Sequence, residues 1–332
     1  MKIAFFEIKG WEKKHLRKAL PNDQLSFYNE SLSKENVSLA QQADIVSVFI
    51  YSKVGAEVFK KLKKLKLVCT RSTGFDHIDL KAAKKAKVEV CNVPAYGDNT
   101  VAEHTFALIL AISRNVHKSY IRTLRNDFSI EGLKGFDLKG KTIGILGAGK
   151  IGLHTIRIAR SFGMEVLAYD VNEDKFMAEV LDFEYVSLDE LLKKSDVISL
   201  HAPYNKSTHH MIDRAAIKKM KKGVVLINTA RGGLVDLDAL MEGLDKNIIA
   251  GAGLDVVEGE EYIKEEKQLL YDPKKAEVAI TLAKDHILFD NEKVIFTPHI
   301  GFFSQEALVR ILETTVENIE AFLNNEPINS VK

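Results

Sequence analysis

Thr142-Ile143-Gly144-Ile145-Leu146-Gly147-Ala148-Gly149-Lys150-Ile151-Gly152 is the stretch whose reading decides the fold. A β-prone run leads into a G-x-G-x-x-G array, and a helical pattern opens directly after it. Glycine triplets recur by chance, but a strand before and a helix after are the context that gives this one meaning. Gly147 allows the tight turn, Gly149 lets a pyrophosphate approach the backbone, and Gly152 lets helix and strand pack closely. The helix start at Lys150 and Ile151 then offers free N–H groups and a positive dipole to phosphate. The next β-prone run, Glu165–Tyr169, ends in Asp170, about twenty residues past the fingerprint. A carboxylate there accepts the adenosine ribose hydroxyls and repels a 2′-phosphate, so the expected cofactor is NAD rather than NADP.

Outward from this motif the chain keeps alternating. Strand candidates at Thr142–Leu146, Glu165–Tyr169, Val197–Leu200, Val224–Asn228, Ile248–Leu254 and Val294–Thr297 match two mononucleotide-binding halves of a doubly wound sheet. Upstream, Lys2–Ile8, Leu25–Tyr28, Ile45–Ile50, Leu67–Arg71 and Val88–Asn92 alternate with amphipathic stretches such as Val54–Leu65 and Leu80–Ala86. That predicts a second α/β domain with a largely parallel sheet. Near Asn99 a new helix is expected, with Thr100-Val101-Ala102-Glu103 as its capping box. The run after it, from Thr105 to Ile112, is apolar on every side and suits a position between domains or subunits. The tail from Ser304 to Leu323 reads as one helix.

Length and composition agree with this division. The 332 residues suggest about two domains. A net charge of +1 carries no basic field for nucleic acid. The densest basic stretch, Phe59 to Lys66, reads as a helix edge with its lysines in solvent. Cys69 and Cys91 each sit in an apolar run and read as small buried hydrophobes; no spacing suggests structural zinc, and no metal is expected. The first residues hold too short an apolar run for a signal peptide, and no stretch reaches membrane-spanning length. A soluble, cytoplasmic protein with neither nucleic-acid nor membrane partner is expected.

In open parallel sheets, ligands sit beyond the carboxyl ends of the strands. Thr229-Ala230-Arg231 follows one strand candidate, Asp255 to Glu260 another, and Pro298-His299 the last. A guanidinium, carboxylates and an imidazole thus converge on the edge that carries the dinucleotide. This set suits hydride transfer to a 2-oxo acid. Charge grows on the carbonyl oxygen and a proton must be supplied, for which histidine is well matched near neutrality. A nearby carboxylate favours the charged imidazole, and arginine pairs with a substrate carboxylate in bidentate fashion. By position alone His201 competes with His299 for the acid/base role, while His209 and His210 lie in a polar stretch and read as solvated.

At these residues the sequence resembles the D-isomer-specific 2-hydroxyacid dehydrogenase family, most closely its D-lactate dehydrogenase-like branch. The likeness runs through Arg71-Ser72-Thr73-Gly74-Phe75-Asp76, Asn92-Val93-Pro94-Ala95-Tyr96, Val101-Ala102-Glu103-His104, the glycine fingerprint, His201-Ala202-Pro203, Asn228-Thr229-Ala230-Arg231-Gly232, the Leu254 to Glu260 stretch and Thr297-Pro298-His299. It implies two Rossmann-like or flavodoxin-like domains with a cleft between them. The substrate-binding domain would be discontinuous, 1–98 plus 300–332, around an NAD-binding domain at 99–299. It implies Arg231 as the residue that binds and polarises substrate, His299 as acid/base, and Glu260 rather than Glu258 as the carboxylate paired with it. His201 then falls in the cofactor-lining loop with Ala202 and Pro203, and Thr208, Thr229 and Ala230 lie near the dinucleotide. Asp255 would hold the nicotinamide carboxamide. The backbone at Thr73 and Gly74 would receive the substrate carboxylate, with Tyr96 nearby. Phe302 matches an aromatic position near substrate in that branch, and equally suits the core of the last helix. Where Gly233 stands, many D-lactate enzymes have proline, a departure that leaves Arg231 in place. The resemblance further implies a homodimer through the helix after Asn99. Pyruvate is the favoured small 2-oxo acid. D-2-hydroxyisocaproate, phenyllactate or glycerate chemistry and an NADH-sensing corepressor role are the competing readings.

Overall fold

Every pair of neighbouring strands among the described residues of this computed structural model, 1–259 and 286–331, is parallel. The strands fall into two sheets. The first holds β1 (Lys2–Phe5), β2 (Gln24–Phe27), β3 (Ile45–Val48), β4 (Leu67–Thr70) and β5 (Glu89–Cys91), in the order β2-β1-β3-β4-β5. Alternate side chains serve opposite faces. Ile3, Phe5, Ile45, Leu67 and Cys69 pack with Leu16 of helix Gly10–Ala19 and with Leu312, Val316 and Ile319 of helix Gln305–Leu323. Ala4, Phe6, Val46, Val48, Val68 and Val90 pack on the other side with Val58 and Phe59 of helix Ala56–Lys61. Burial on both faces is why the inner strands β3 and β4 read as largely apolar runs. Cys69 and Cys91 are register partners on β4 and β5, both buried and free, and burial pushes the Cys91 thiol up to about 11. They are inert small hydrophobes, as expected. The lysines around Leu62 and Leu65 point to solvent while those two leucines are buried.

The second sheet holds β6 (Thr142–Leu146), β7 (Glu165–Tyr169), β8 (Glu184–Tyr185), β9 (Val197–Leu200), β10 (Val224–Asn228), β11 (Ile249–Leu254) and β12 (Val294–Phe296), in the order β12-β11-β10-β9-β6-β7-β8. The order reverses between β6 and β9, which puts the switch point of a doubly wound sheet beside the glycine fingerprint. The six expected strands are present. β8 is an addition, two residues long on the sheet edge, too short to leave a periodic signal.

The chain divides into two units, Met1–Tyr96 with Ser304–Lys332, and Gly97–Phe303. Residues 300–303 thus group with the second unit, because the Ile300 and Gly301 amides both donate to the Asp255 carboxylate. The capping box expected at Thr100 is not formed. Helix Asp98–Ser113 starts two residues earlier, after Gly97, and Thr100 is buried inside it. Glu103 instead accepts from the Asn99 side chain at 3.1 Å. This apolar helix spends much of its surface within its own unit. Leu108 and Ile112 lie where side chains on Gly253 and Gly251 of β11 would stand, and Phe106 stacks on Phe162 at 5.3 Å. No helix among the described residues is long and apolar enough to cross a membrane.

Candidate active site

The glycine turn closes as its spacing requires. Gly147 has φ +98°, a conformation that side chains avoid, and a Cβ there would stand 2.6 Å from the Ala202 nitrogen. A Cβ on Gly152 would stand 2.1 Å from the Gly147 oxygen, so helix Lys150–Ser161 lies hard against the turn. At Gly149, by contrast, nothing lies within 4 Å of an added Cβ. Open space at the helix N-terminus, ahead of the Lys150 and Ile151 amides, is what a pyrophosphate needs. Asp170 follows β7 and accepts from Ala148 N–H at 2.8 Å through Oδ2 and from Asn172 N–H at 2.9 Å through Oδ1. Each of its oxygens retains a lone pair for a ribose hydroxyl. The residues present therefore fit a dinucleotide.

Across the switch point, β9 ends in His201, Ala202 and Pro203. His201 keeps partial surface access, but its ring bonds Ser199 Oγ at 2.9 Å and desolvation pulls its pKa down to about 3. A ring that resists protonation is a poor proton donor near neutrality, and this favours His299 over its competitor. Thr208 donates to the Pro203 carbonyl at 2.7 Å and so closes the loop that follows. Thr229 is buried after β10 and its hydroxyl meets that of Thr105 at 2.9 Å. Ala230 N–H donates to Asn228 Oδ1, and Arg231 is half-buried with Nη1 donating to the Ala230 carbonyl at 2.7 Å.

Asp255, at the end of β11, organises the turn that carries His299. Its Oδ1 accepts from the Thr297 hydroxyl and from Ile300 N–H, and its Oδ2 from Gly301 N–H at 2.7 Å. Its backbone carbonyl takes His299 N–H at 2.9 Å. Burial alone would raise this carboxyl, but His104, Thr297 and the Ile300 and Gly301 amides together hold it below the usual range. His104 Nε2 lies 3.0 Å from Thr297 Oγ1 and 3.3 Å from Asp255 Oδ1. His299 itself has φ +55°, a left-handed backbone that a non-glycine residue keeps only when its surroundings impose it. Phe302 is buried beside it, ring edge to ring face at 6.2 Å and 82°. Its place is the turn rather than the core of the last helix. Sequence reasoning missed His104 and Thr297 as members of this cluster. Both stood inside quoted motifs, yet they are 193 residues apart in the chain and nothing local pairs them. It also read His210 as solvated; the ring is half-buried and lies 3.0 Å from both Glu258 oxygens. Glu260 lies outside the described residues.

In the first unit, Thr73 and Gly74 follow β4. Asn92 Nδ2 donates to the Thr73 carbonyl at 2.8 Å, and Thr73 Oγ1 donates to the Val93 carbonyl at 2.9 Å. Buried Asn318 in turn donates to the Asn92 carbonyl, so the last helix braces this loop. Tyr96, half-buried after β5, receives Arg310 Nε at its carbonyl at 2.7 Å.

Comparison with known proteins matches this fold and cofactor side to one family. The sequence model of the D-isomer-specific 2-hydroxyacid dehydrogenase NAD-binding domain matches residues 106–301. A 2-hydroxyacid dehydrogenase homolog of Haemophilus influenzae is 38% identical over 326 residues, covering 96% of this chain and 95% of its own. The D-lactate dehydrogenase of Escherichia coli is 36% identical, with 96% of each chain covered. Among solved structures, the D-lactate dehydrogenase of Aquifex aeolicus complexed with NAD and lactic acid superposes with a TM-score of 0.88 at 39% identity, covering 98% of this chain and 96% of that one. The chain belongs to the D-isomer-specific 2-hydroxyacid dehydrogenase family. It is an NAD-dependent oxidoreductase.

Two outcomes follow from the cofactor side. Asp170→Ala is expected to weaken NADH by about 10- to 100-fold, the loss of charged hydrogen bonds to the ribose, and NADPH far less. Equal losses in a fluorescence titration would contradict a ribose contact. His201 also makes stability depend on acidity. Its folded pKa lies below its unfolded value of 6.5, so the unfolded chain binds more protons between pH 6.5 and about 3, and stability falls as pH drops through that window. Urea midpoints of His201→Asn, measured over the upper part of that window, should show a shallower pH slope than the parent.

Proposed function

We propose that this enzyme interconverts pyruvate and D-lactate, with Arg231 and His299 as catalytic residues, Glu260 as the partner of His299, and Thr73, Gly74, Tyr96 and Phe302 on the substrate. The observation that carries the proposal is the Asp255 clamp, which fixes the strained His299 turn at the carboxyl end of the sheet that binds NAD. The nicotinamide, when bound, supplies or accepts the hydride at C2 of the acid. His299 holds the proton for the carbonyl oxygen, and a charged Glu260 beside it favours the protonated imidazole. The Arg231 guanidinium pairs with the substrate carboxylate and stabilises charge growing on the oxygen. Asp255 Oδ2 accepts from one amide only among the described residues, which leaves it capacity toward the carboxamide. The braced amides at Thr73 and Gly74 suit a carboxylate, and the apolar Phe302 suits a methyl. Two of the relatives named above are D-lactate dehydrogenases, which supports a small 2-oxo acid as substrate.

We further propose a cytoplasmic homodimer built on the region after Asn99, helix Asp98–Ser113 and the helix that follows it. Helix Val116–Leu124 has no buried residue, and Val116, Tyr120 and Leu124 form one stripe along it, 55%, 63% and 66% exposed. Ile121, Phe128 and Ile130, close by in the chain, are exposed as well, and large exposed apolar patches mark interaction surfaces. A second copy presenting the same face covers it.

A panel of 2-oxo acids with chiral analysis of the product is expected to give the highest kcat/KM for pyruvate and the D isomer. Pyruvate as the poorest substrate would overturn the assignment. His299→Gln should lower pyruvate reduction by about 100-fold or more with NADH binding retained, since proton transfer contributes about that much; an unchanged kcat would remove the residue from its role. Ile121→Asp with Leu124→Asp should halve the mass measured by light scattering, and an unshifted dimer would place the interface elsewhere.

A further inference from the structure

We propose that His209, His210 and Glu258 form a binding site for one divalent transition-metal ion of the zinc class. The three come from two places in the second unit. The histidines sit on the loop after β9, and Glu258 follows β11, four residues past its end. One ligand atom from each lies within 4.8 Å of the others. Tetrahedral zinc with bonds of about 2.0–2.1 Å separates its ligands by about 3.3 Å, so closure asks for a shift of about 1.5 Å at most. His210 Nε2 already faces both Glu258 oxygens at 3.0 Å. An ion inserted there would replace a hydrogen bond with two coordinate bonds.

The surroundings are those that metal-binding histidines have. The Tyr204 hydroxyl bonds His209 Nδ1 at 3.2 Å, which leaves Nε2 to ligate an ion. His210 is held in left-handed backbone, φ +50°, with its N–H on the Gly233 carbonyl at 2.9 Å, and this conformation turns its ring toward Glu258. A side chain on Gly233 would stand 2.7 Å from the Tyr204 ring, so the glycine there makes room for the tyrosine that orients His209. The two imidazoles stack at 3.8 Å and 26°. Parallel rings aim their lone pairs side by side rather than at one point, so binding requires them to splay. His209 is exposed and can turn without disturbing the core. Two imidazoles and a carboxylate match the borderline-soft ions, zinc foremost, over calcium or magnesium, which prefer all-oxygen sets.

The proposal does not depend on which oxo acid the enzyme reduces, and its test reads binding directly. Co²⁺ titrated into the full-length protein should produce the intense visible absorption of a tetrahedral site, saturating at one ion per chain and abolished by Zn²⁺. His210→Asn combined with Glu258→Gln should remove it; asparagine tolerates the left-handed backbone, so the loop keeps its path. Tyr204→Phe should weaken Co²⁺ by about 10- to 100-fold as the orienting hydroxyl is lost. His201→Asn and His299→Gln should bind like the parent, which separates this site from the other histidines. Equal binding by the parent and the His210/Glu258 double variant, or no one-to-one binding by the parent, would overturn it.

Discussion

The Asp255 carboxylate is buried to 1% exposure and ties together residues that the chain brings from three directions. Its oxygens collect the Thr297 hydroxyl and two consecutive amides, its carbonyl takes His299 N–H, and His104 approaches from the long apolar helix. A buried charge is tolerable only with such a set of donors, and the same donors make the turn rigid. His299 adopts a backbone conformation that costs free energy in isolation, and this cage holds it there. Without that cage the imidazole would sit on an ordinary surface loop.

The cofactor side rests on a different constraint, the absence of side chains. Gly147 and Gly152 let the strand, the turn and the helix approach within distances that a methyl group would block, while Gly149 faces open space. Asp170 is joined to that turn through Ala148, so the acid after β7 and the amides at the start of helix Lys150–Ser161 belong to one hydrogen-bonded unit. The sheet order places His201 and Ala202 directly across from it. Packing also decides the state of His201: desolvated and paired with Ser199, its ring resists protonation.

Much of this is legible in the sequence. Strands buried on both faces are continuous apolar runs, and four of the second sheet's strands have the limits that their sequence suggests. The places where reading failed share a cause. β8 is two residues long and has no period to detect. The Thr100 capping box was a sound local pattern, but Gly97 and Asp98 start the helix earlier and draw Thr100 inside. His210 looked solvated because its neighbours are polar, yet its partner Glu258 lies 48 residues away.

By itself the sequence determined the parallel two-sheet architecture, the dinucleotide turn and the acid that follows it, because each depends on residues near one another in the chain. Strand periodicity and glycine placement act over a few residues and need no tertiary context. Only the tertiary structure decided which histidine stays neutral, which side chains cage the His299 turn, and that Tyr204, His209, His210 and Glu258 share one corner. Those outcomes turn on desolvation and on hydrogen bonds between distant segments, whose energies exist only once the segments are packed together.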